Sequence, residues 1–265
     1  PEHFSIGSCY AVIPGGLDHR GTELTPLDLE EAKKKIAAFK ERGVRIFSLI
    51  GKFSPRNPEH EKQLAALLDT ECDFMTLGHT LSGQLNFPRR VATSYYNSAI
   101  WRIFNGFANS VSESLQDFGL HPPHVNILKA DGGTMTFAQA RQTPVESIFS
   151  GPSASVMGIK ALCPIESDAI LLDMGGTTTD VAVFADGDPL IEAESVELAH
   201  RPTLVRAMKT KSIPLGGDSA VSARDGAVCV GPRRLGPCMA QGGTIPTLVD
   251  ALNCAKQYAY GQVQA

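Results

Sequence analysis

Nowhere in the 265 residues does an apolar run approach the roughly 20 residues that a membrane-spanning helix requires, and no signal-peptide pattern opens the chain. An excess of positive charge is missing as well. The formal net charge is -4, which removes any general electrostatic case for nucleic acid or an anionic membrane surface. The six cysteines (Cys9, Cys72, Cys163, Cys229, Cys238, Cys254) include no C-x-x-C pair. In a chain of this length that predicts reduced, buried thiols in a cytoplasmic protein rather than a disulfide framework. No histidine stands at ligand spacing from a cysteine, so a zinc site is not expected. The first residue is Pro1 rather than Met, which suggests a piece of something longer.

What is present suits a folded chain. Hydrophobic residues make up 43% and charged residues 20%, enough for one large domain or two smaller ones. Residues 2–24 read as short strands and turns. Thr25-Pro26-Leu27-Asp28 opens a helix, with Thr25 as cap and Pro26 at the first position, running to about Arg42 and stopped by Gly43. "VRIFSLIG" (44–51) and "DFMTLGH" (73–79) read as strands, with a proline-opened helix in "SPRNPEHEKQLAALLDT" between them. This alternation predicts an α/β unit with a largely parallel sheet. A long helix is expected from Val91 to Leu120, with Tyr95, Ile100, Trp101, Ile103, Phe104, Phe107, Val111 and Leu115 as its apolar set; Gly119, Pro122 and Pro123 end it. A strand then runs into a glycine turn, Asp131-Gly132-Gly133, which either lines a cleft or only turns the chain. A helix of small residues follows at Gly151-Pro152, and from Arg201 the chain reads as a glycine- and proline-rich tail. A division is expected near residues 130–150, giving an α/β lobe over 1–130 and a second lobe over 131–265.

The segment richest in chemistry is Ala169–Phe184, "AILLDMGGTTTDVAVF". A hydrophobic strand ends in Asp173, turns through Gly175-Gly176-Thr177-Thr178, and returns as a strand carrying Thr179 and Asp180. The chain has no G-x-x-x-x-G-K-[ST] loop, and these glycines lead into a strand rather than a helix, so neither a P-loop nor a Rossmann turn is at hand. Glycines let backbone N–H groups approach an anion closely, and hydroxyls add donors. Asp173 at a strand end suits a magnesium ion held through its waters, and Asp180 is placed to orient water or metal. A hairpin tip with polar dressing and no ligand remains the alternative from spacing alone.

"LLDMGGTTTDVAVF" resembles the second phosphate motif of the superfamily of actin, hexokinase and the heat-shock chaperone ATPases, and within it the D-M-G-G-T-[ST]-T-D of the hydantoinase A/oxoprolinase family. Other stretches agree in order. "SPRNPEHE" resembles a family segment upstream of that motif. "LKADGGTMTFAQARQTPVESIFSGPSASVMG" is similar to the family's N-G-G-x-M…S-G-P-A-A-G-V-x-G. "CVGPRRLGPCMAQGGTIPTLVDA" is similar to V-G-P-x-S-A-G-P…G-G-x-x-P-T-V-T-D-A. The resemblance implies an α/β, actin-like (ribonuclease H-like) ATPase architecture, in part, with mixed sheets flanked by helices. It implies ATP and Mg2+, and ATP-dependent opening of a cyclic amide such as a hydantoin or 5-oxoproline through phosphoryl transfer to the carbonyl oxygen. By position it assigns Asp173, Gly175, Gly176, Thr177, Thr178 and Asp180 to the phosphate and magnesium site, with Thr179 as a further nucleotide contact, and Gly151, Pro152 and Ser153 to the helix start joining the lobes. A partner subunit or remaining lobe is implied too.

Departures from the pattern are specific. The first phosphate motif, D-x-G-G-T-F-T-D, and a later F-G-G-A-G-P do not occur in these residues. The family's A-G-G-G-S reads "PLGGDS" at Pro214–Ser219, with Asp218 in place of glycine, so Gly216 and Gly217 either face phosphate or form a structural turn. Half of a nucleotide cleft is therefore expected, in the middle of a longer enzyme or in a diverged member. The competing expectation is a non-catalytic nucleotide-sensing or assembly module; a sugar kinase is a third, weaker option. Arg89 and Arg90 offer an anion site or a solvated helix start, and Cys238 an inert thiol.

Overall fold

The computed structural model describes residues 4, 6–68, 72–119 and 125–255. The chain folds as two compact units, Pro1–Phe149 with Ala193–Ala207, and Ser150–Glu192 with Met208–Ala265.

The first unit opens with a small hairpin, β1 (Gly16–Leu17) and β2 (Glu23–Thr25), and continues with α1 (Leu29–Glu41), β3 (Ile46–Leu49), α2 (Glu59–Leu68), β4 (Phe74–Leu77), α3 (Gly78–Leu81) and α4 (Phe87–Asp117). The predicted start of α1 moves by one turn. Thr25 is paired with Gly16 in the hairpin, and Asp28 is the cap, its side chain accepting from Glu31 N at 2.9 Å. Gly43, at φ +78°, ends the helix as expected. β3 and β4 pair in parallel from Ile46↔Phe74 to Leu49↔Leu77, with α2 between them. Phe47, Leu49 and Leu68 are buried there against Ile36 and Phe39 of α1.

α4 begins earlier than expected, capped by Asn86, and its inward face differs from the apolar set read from sequence. Ile103 and Phe107 are exposed, while Arg90, Thr93, Ser94, Asn97 and Ala108 are buried. Steps of three and four from Arg90 through Ser94 and Asn97 reach Trp101 and Ala108, and that stripe passes Ile103 and Phe107 by. Trp101 stacks on Phe74 with ring centroids 4.9 Å apart. Pro122 and Pro123 lie outside the described residues.

The unit continues with the hairpin β5 (Asn126–Leu128) and β6 (Thr134–Thr136), then α5 (Phe137–Gln142) and one short 3-10 turn. The second unit starts with α6 (Ser150–Leu162), β7 (Ala169–Met174), β8 (Thr179–Ala185) and β9 (Asp188–Pro189). The chain then returns to the first unit for β10 (Glu197–Leu198) and β11 (Arg201–Pro202). There Tyr96 of α4 donates to Leu198 O at 2.8 Å.

In place of the expected tail, the second unit resumes with β12 (Thr210–Ile213), β13 (Ser219–Arg224), β14 (Ala227–Arg234) and α7 (Leu248–Cys254). The sheets are mixed. Only β3–β4 is parallel among the described residues, and the main sheet of the second unit is antiparallel in the order β12-β8-β7, with β9 also on β8. One face of that sheet is covered. Ala182, Phe184 and Met208 are buried there with Val156 of α6, and Ala169 and Leu171 pack on them. The other face is apolar but bare: Ile170, Leu172 and Met174 are 69%, 63% and 53% exposed, and Val183 and Ile213 are exposed beside them.

No disulfide joins the six cysteines, and only Cys238 is buried; Cys163 and Cys254 are exposed and the other three half-buried. The expectation of buried thiols thus fails for five of them, although Cys72 packs against the core around Phe47, Leu49 and Leu68. Among the described residues no helix is long and apolar enough to cross a membrane.

Candidate functional site

The hairpin β7–β8 sets the geometry. Asp173 and Asp180 are direct cross-strand partners, followed toward the tip by Met174 and Thr179. Residues opposite one another in an antiparallel pair point to the same face. Asp173 and Asp180 therefore share the face that carries Leu171 and Ala182, on the side covered by α6. Each carboxylate has one serine donor: Ser155 of α6 gives its hydroxyl hydrogen to Asp173 Oδ2, and Ser212 of β12 gives its own to Asp180 Oδ1. Like charges placed directly opposite in a sheet are destabilising, so the pair is costly without a cation. Two carboxylates and two hydroxyls form an oxygen donor set that suits Mg2+, which keeps most of its waters and takes one or two carboxylates besides phosphate oxygens. Among the described residues no group of three acidic, His or Cys side chains gathers to cage a metal.

The tip is closed by Gly175 N donating to Thr178 O at 2.9 Å. A loop from Leu215 to Ser219 clasps it from outside. Gly217 N donates to Gly175 O at 2.9 Å and Asp218 N to Gly176 O at 2.7 Å, while Thr179 Oγ1 donates to Leu215 O at 2.6 Å. The fit is close. A Cβ on Gly216 would lie 2.5 Å from Gly176 O, so the glycine is required by approach rather than by its torsion. The tip carbonyls thus point into the clasp, whereas the amides of Gly176, Thr177 and Thr178 donate to no acceptor among the described residues. Exposed N–H groups beside hydroxyls are donors of the kind that an anion could take up.

Of the two glycines left open between phosphate contact and structure, Gly217 bonds the tip through its N–H, whereas Gly216 lies against the tip carbonyls with its own backbone bonded to Ser219. On its other side the same loop accepts from Val249 N of α7 at Gly217 O, 3.0 Å. Asp250 caps α7 by accepting from Thr247 N, Met239 N and Ala240 N at 2.9–3.1 Å. Its partial burial works against ionisation, and these donors outweigh it, holding its carboxyl below the usual range.

Other candidates sit elsewhere. Gly151, Pro152 and Ser153 form the first turn of α6, with Ser153 buried. Asp131, Gly132 and Gly133 belong to the first unit. There Asp131 Oδ1 accepts from Gly133 N at 3.0 Å, and Lys129 lies 3.5 Å from Asp131 and 3.1 Å from Glu146. Burial lowers the Lys129 ammonium, but the two carboxylates prevail and raise it. Arg90 follows neither of its expected readings. It is fully buried and donates to the carbonyls of Gln84, Gly51 and Lys52 at 2.7–2.8 Å. Beside it Glu61, also buried, accepts from Gly51 N at 2.7 Å and from His79 N and Nδ1 at 3.0 and 2.6 Å. Ser155 and Ser212 escaped the sequence reading, because contacts between residues 18 and 32 positions apart leave no local pattern.

Comparison with known proteins agrees with this architecture. The family described as Hydantoinase/oxoprolinase matches residues 90–257, and its N-terminal region matches residues 6–72. Caprolactamase subunit alpha of Pseudomonas jessenii is 27% identical over 90% of this chain and 36% of its own length. The 5-oxoprolinase of Saccharomyces cerevisiae is 26% identical over 79% of this chain and 16% of its own. The crystal structure of the ATP-dependent caprolactamase from Pseudomonas jessenii superposes with a TM-score of 0.72 at 24% identity, over 94% of this chain and 37% of that one. The acetone carboxylase nucleotide-free structure gives 0.71 at 18%. The fold is thus a partial actin-like ATPase type, and the chain spans little more than a third of the first relatives' length. With the family matched over most of its residues and its glycine hairpin clasped as described, this chain belongs to the hydantoinase/oxoprolinase family.

Proposed function

We propose that this chain supplies the phosphate-binding half of a nucleotide site in an ATP-dependent enzyme that opens a cyclic amide of the hydantoin or 5-oxoproline class. The observation that carries the reading is the hairpin tip, with three uncommitted amides next to a cross-strand pair of carboxylates. The amides of Gly176, Thr177 and Thr178 and the hydroxyls of Thr177 and Thr178 donate to the terminal phosphate oxygens. Asp173 and Asp180 hold Mg2+ through its waters, and that ion supplies charge neutralisation on the phosphates. Ser155 and Ser212 fix the two carboxylates. The chemistry asked of the site is positioning and electrostatic support for transfer of a phosphoryl group to the amide oxygen. Water then attacks the activated carbon, the ring C–N bond breaks with the nitrogen leaving as the amine, and a second water cleaves the resulting acyl phosphate to carboxylate and inorganic phosphate.

A remaining lobe or a second subunit completes the cleft. Three features support this: the chain's share of its relatives' length, the subunit names of relatives such as the acetophenone carboxylase gamma subunit, and the bare apolar face of β7, β8 and β12. A second reading, a nucleotide-sensing module without catalysis, is favoured by the Asp218 carboxylate beside Gly176.

Calorimetric titration with Mg-ATP and Mg-ADP, beside Asp173→Ala, tests the first claim. Binding lost in the variant supports the hairpin site, and binding unchanged refutes it. Nucleotide-stimulated opening of a hydantoin or 5-oxoproline by the full-length protein separates the enzyme from the sensor.

A further inference from the structure

Two charged side chains, Asp218 and Arg234, form an ion pair beside the hairpin tip. Asp218 donates its amide to Gly176 O, and its Oδ2 lies 2.8 Å from where a Cβ on Gly176 would be. Arg234 Nη2 contacts the same Oδ2 at 2.8 Å. The sheet builds the pair in, because Ser219, the next residue after Asp218, is the cross-strand partner of Arg234 in β13–β14. Exposure is unequal: the Asp218 side chain is 17% exposed and that of Arg234 52%. An anion approaching the tip therefore meets the cation first. Both residues also depart from the motifs they resemble, Asp218 at a glycine of A-G-G-G-S and Arg234 at the serine of V-G-P-x-S-A-G-P.

We propose that Arg234 is a phosphate-binding residue of the hairpin site and that Asp218 is its resting counter-ion, displaced from it by a phosphate oxygen of the bound ligand. The inference rests on the nucleotide reading and deepens it by naming a specificity device. A guanidinium presents a rigid fork of donors that matches phosphate geometry. Asp218 competes for that fork and repels an incoming anion. The pair thereby weakens ligands with a single phosphate more than those with two or three, and selects polyphosphates.

The test is calorimetric titration of the full-length protein carrying these residues with Mg-ATP, Mg-ADP and inorganic pyrophosphate. The variants are Arg234→Ser, Arg234→Lys, Asp218→Gly and the double Asp218→Gly/Arg234→Ser, each with a thermal melt. Arg234→Ser is expected to weaken binding about tenfold, as for one charge-assisted hydrogen bond, and to flatten its salt dependence. Arg234→Lys restores part of the loss. Asp218→Gly tightens binding about fivefold, and the double variant falls within about threefold of wild type. Wild-type binding that neither Arg234→Ser nor Asp218→Gly alters overturns this inference and leaves the hairpin site standing. Equal losses of affinity and melting temperature in Arg234→Ser and Arg234→Lys reduce the pair to structure and overturn it too. A wild-type protein that binds none of the three probes overturns both readings.

Discussion

Two carboxylate centres, one in each unit, use charge in opposite ways. Glu61 is buried, and both its oxygens are taken by Gly51 and His79. Arg90 is buried nearby on three carbonyls, its guanidinium lowered by burial and supported in return by the field of Glu61. Asp173 has one serine donor, Asp180 another, and the two face each other across a hairpin whose tip amides are unspent. Several buried partners and exclusion of water mark a charge that holds a fold together. Few partners, a like charge opposite and access to solvent mark one kept for a ligand. Residue type alone does not separate the two cases.

Breaking the buried centre gives the largest effect expected here. Glu61→Ala strands Arg90 and the donors of Gly51 and His79, so unfolding stability of the first unit falls by about 3–5 kcal/mol. The single tryptophan, Trp101, stacked on Phe74, reports that transition by fluorescence in a denaturant titration. Gly216→Ala comes next. Its Cβ meets the Gly176 carbonyl, and the clasp opens at a cost of about 1–3 kcal/mol, visible as faster amide exchange at Gly217 and Asp218, whose N–H groups hold the tip, with the Trp101 signal unmoved. Asp173→Asn sharpens the contrast, because it relieves a like-charge pair and changes stability by less than about 0.5 kcal/mol while Mg-nucleotide binding is lost. If it destabilises the second unit as Glu61→Ala does the first, the comparison fails.

The smallest effect is a dependence on acid. Asp250 has a carboxyl held lower in the folded chain than in the unfolded one, so below about pH 4 the unfolded state binds more protons. Its contribution is complete above the unfolded value and disappears as pH falls through the folded one. The stability gap between wild type and Asp250→Asn is therefore expected to narrow as pH falls below the unfolded carboxyl's value, as read in urea melts at neutral and acid pH.

Much of this was legible in the sequence. β3, α2 and β4 follow from apolar runs and a proline, and the β7–β8 hairpin from two strands around Gly175 and Gly176. The misplacements have physical causes. Thr25 is as good a local cap as Asp28, and only pairing with Gly16 in the hairpin decides against it. Ile103 and Phe107 satisfy a helical period on the wrong side of α4, where the buried stripe is polar and gets its partners from distant backbone, as when Asn97 accepts from Val145 N at 3.1 Å. The stretch after Arg201 looked like a tail because Gly231 and Pro232 interrupt it, yet a two-stranded hairpin tolerates both on its edges. At the site, motif positions reveal the tip, whereas Ser155, Ser212 and Arg234 become visible only once four strands and a helix are assembled.

The bare face of β7, β8 and β12 also governs how the molecule behaves in a tube. A flat patch of Ile170, Leu172, Met174, Val183 and Ile213 adjoins β7, which pairs only with β8 among the described residues, and so leaves a strand edge beside exposed hydrocarbon. Such surfaces stick to one another. Light scattering from these 265 residues alone is expected to rise with concentration and to fall when Ile170 and Leu172 are replaced by lysine and threonine, so solubility itself becomes an assay for whatever covers that face.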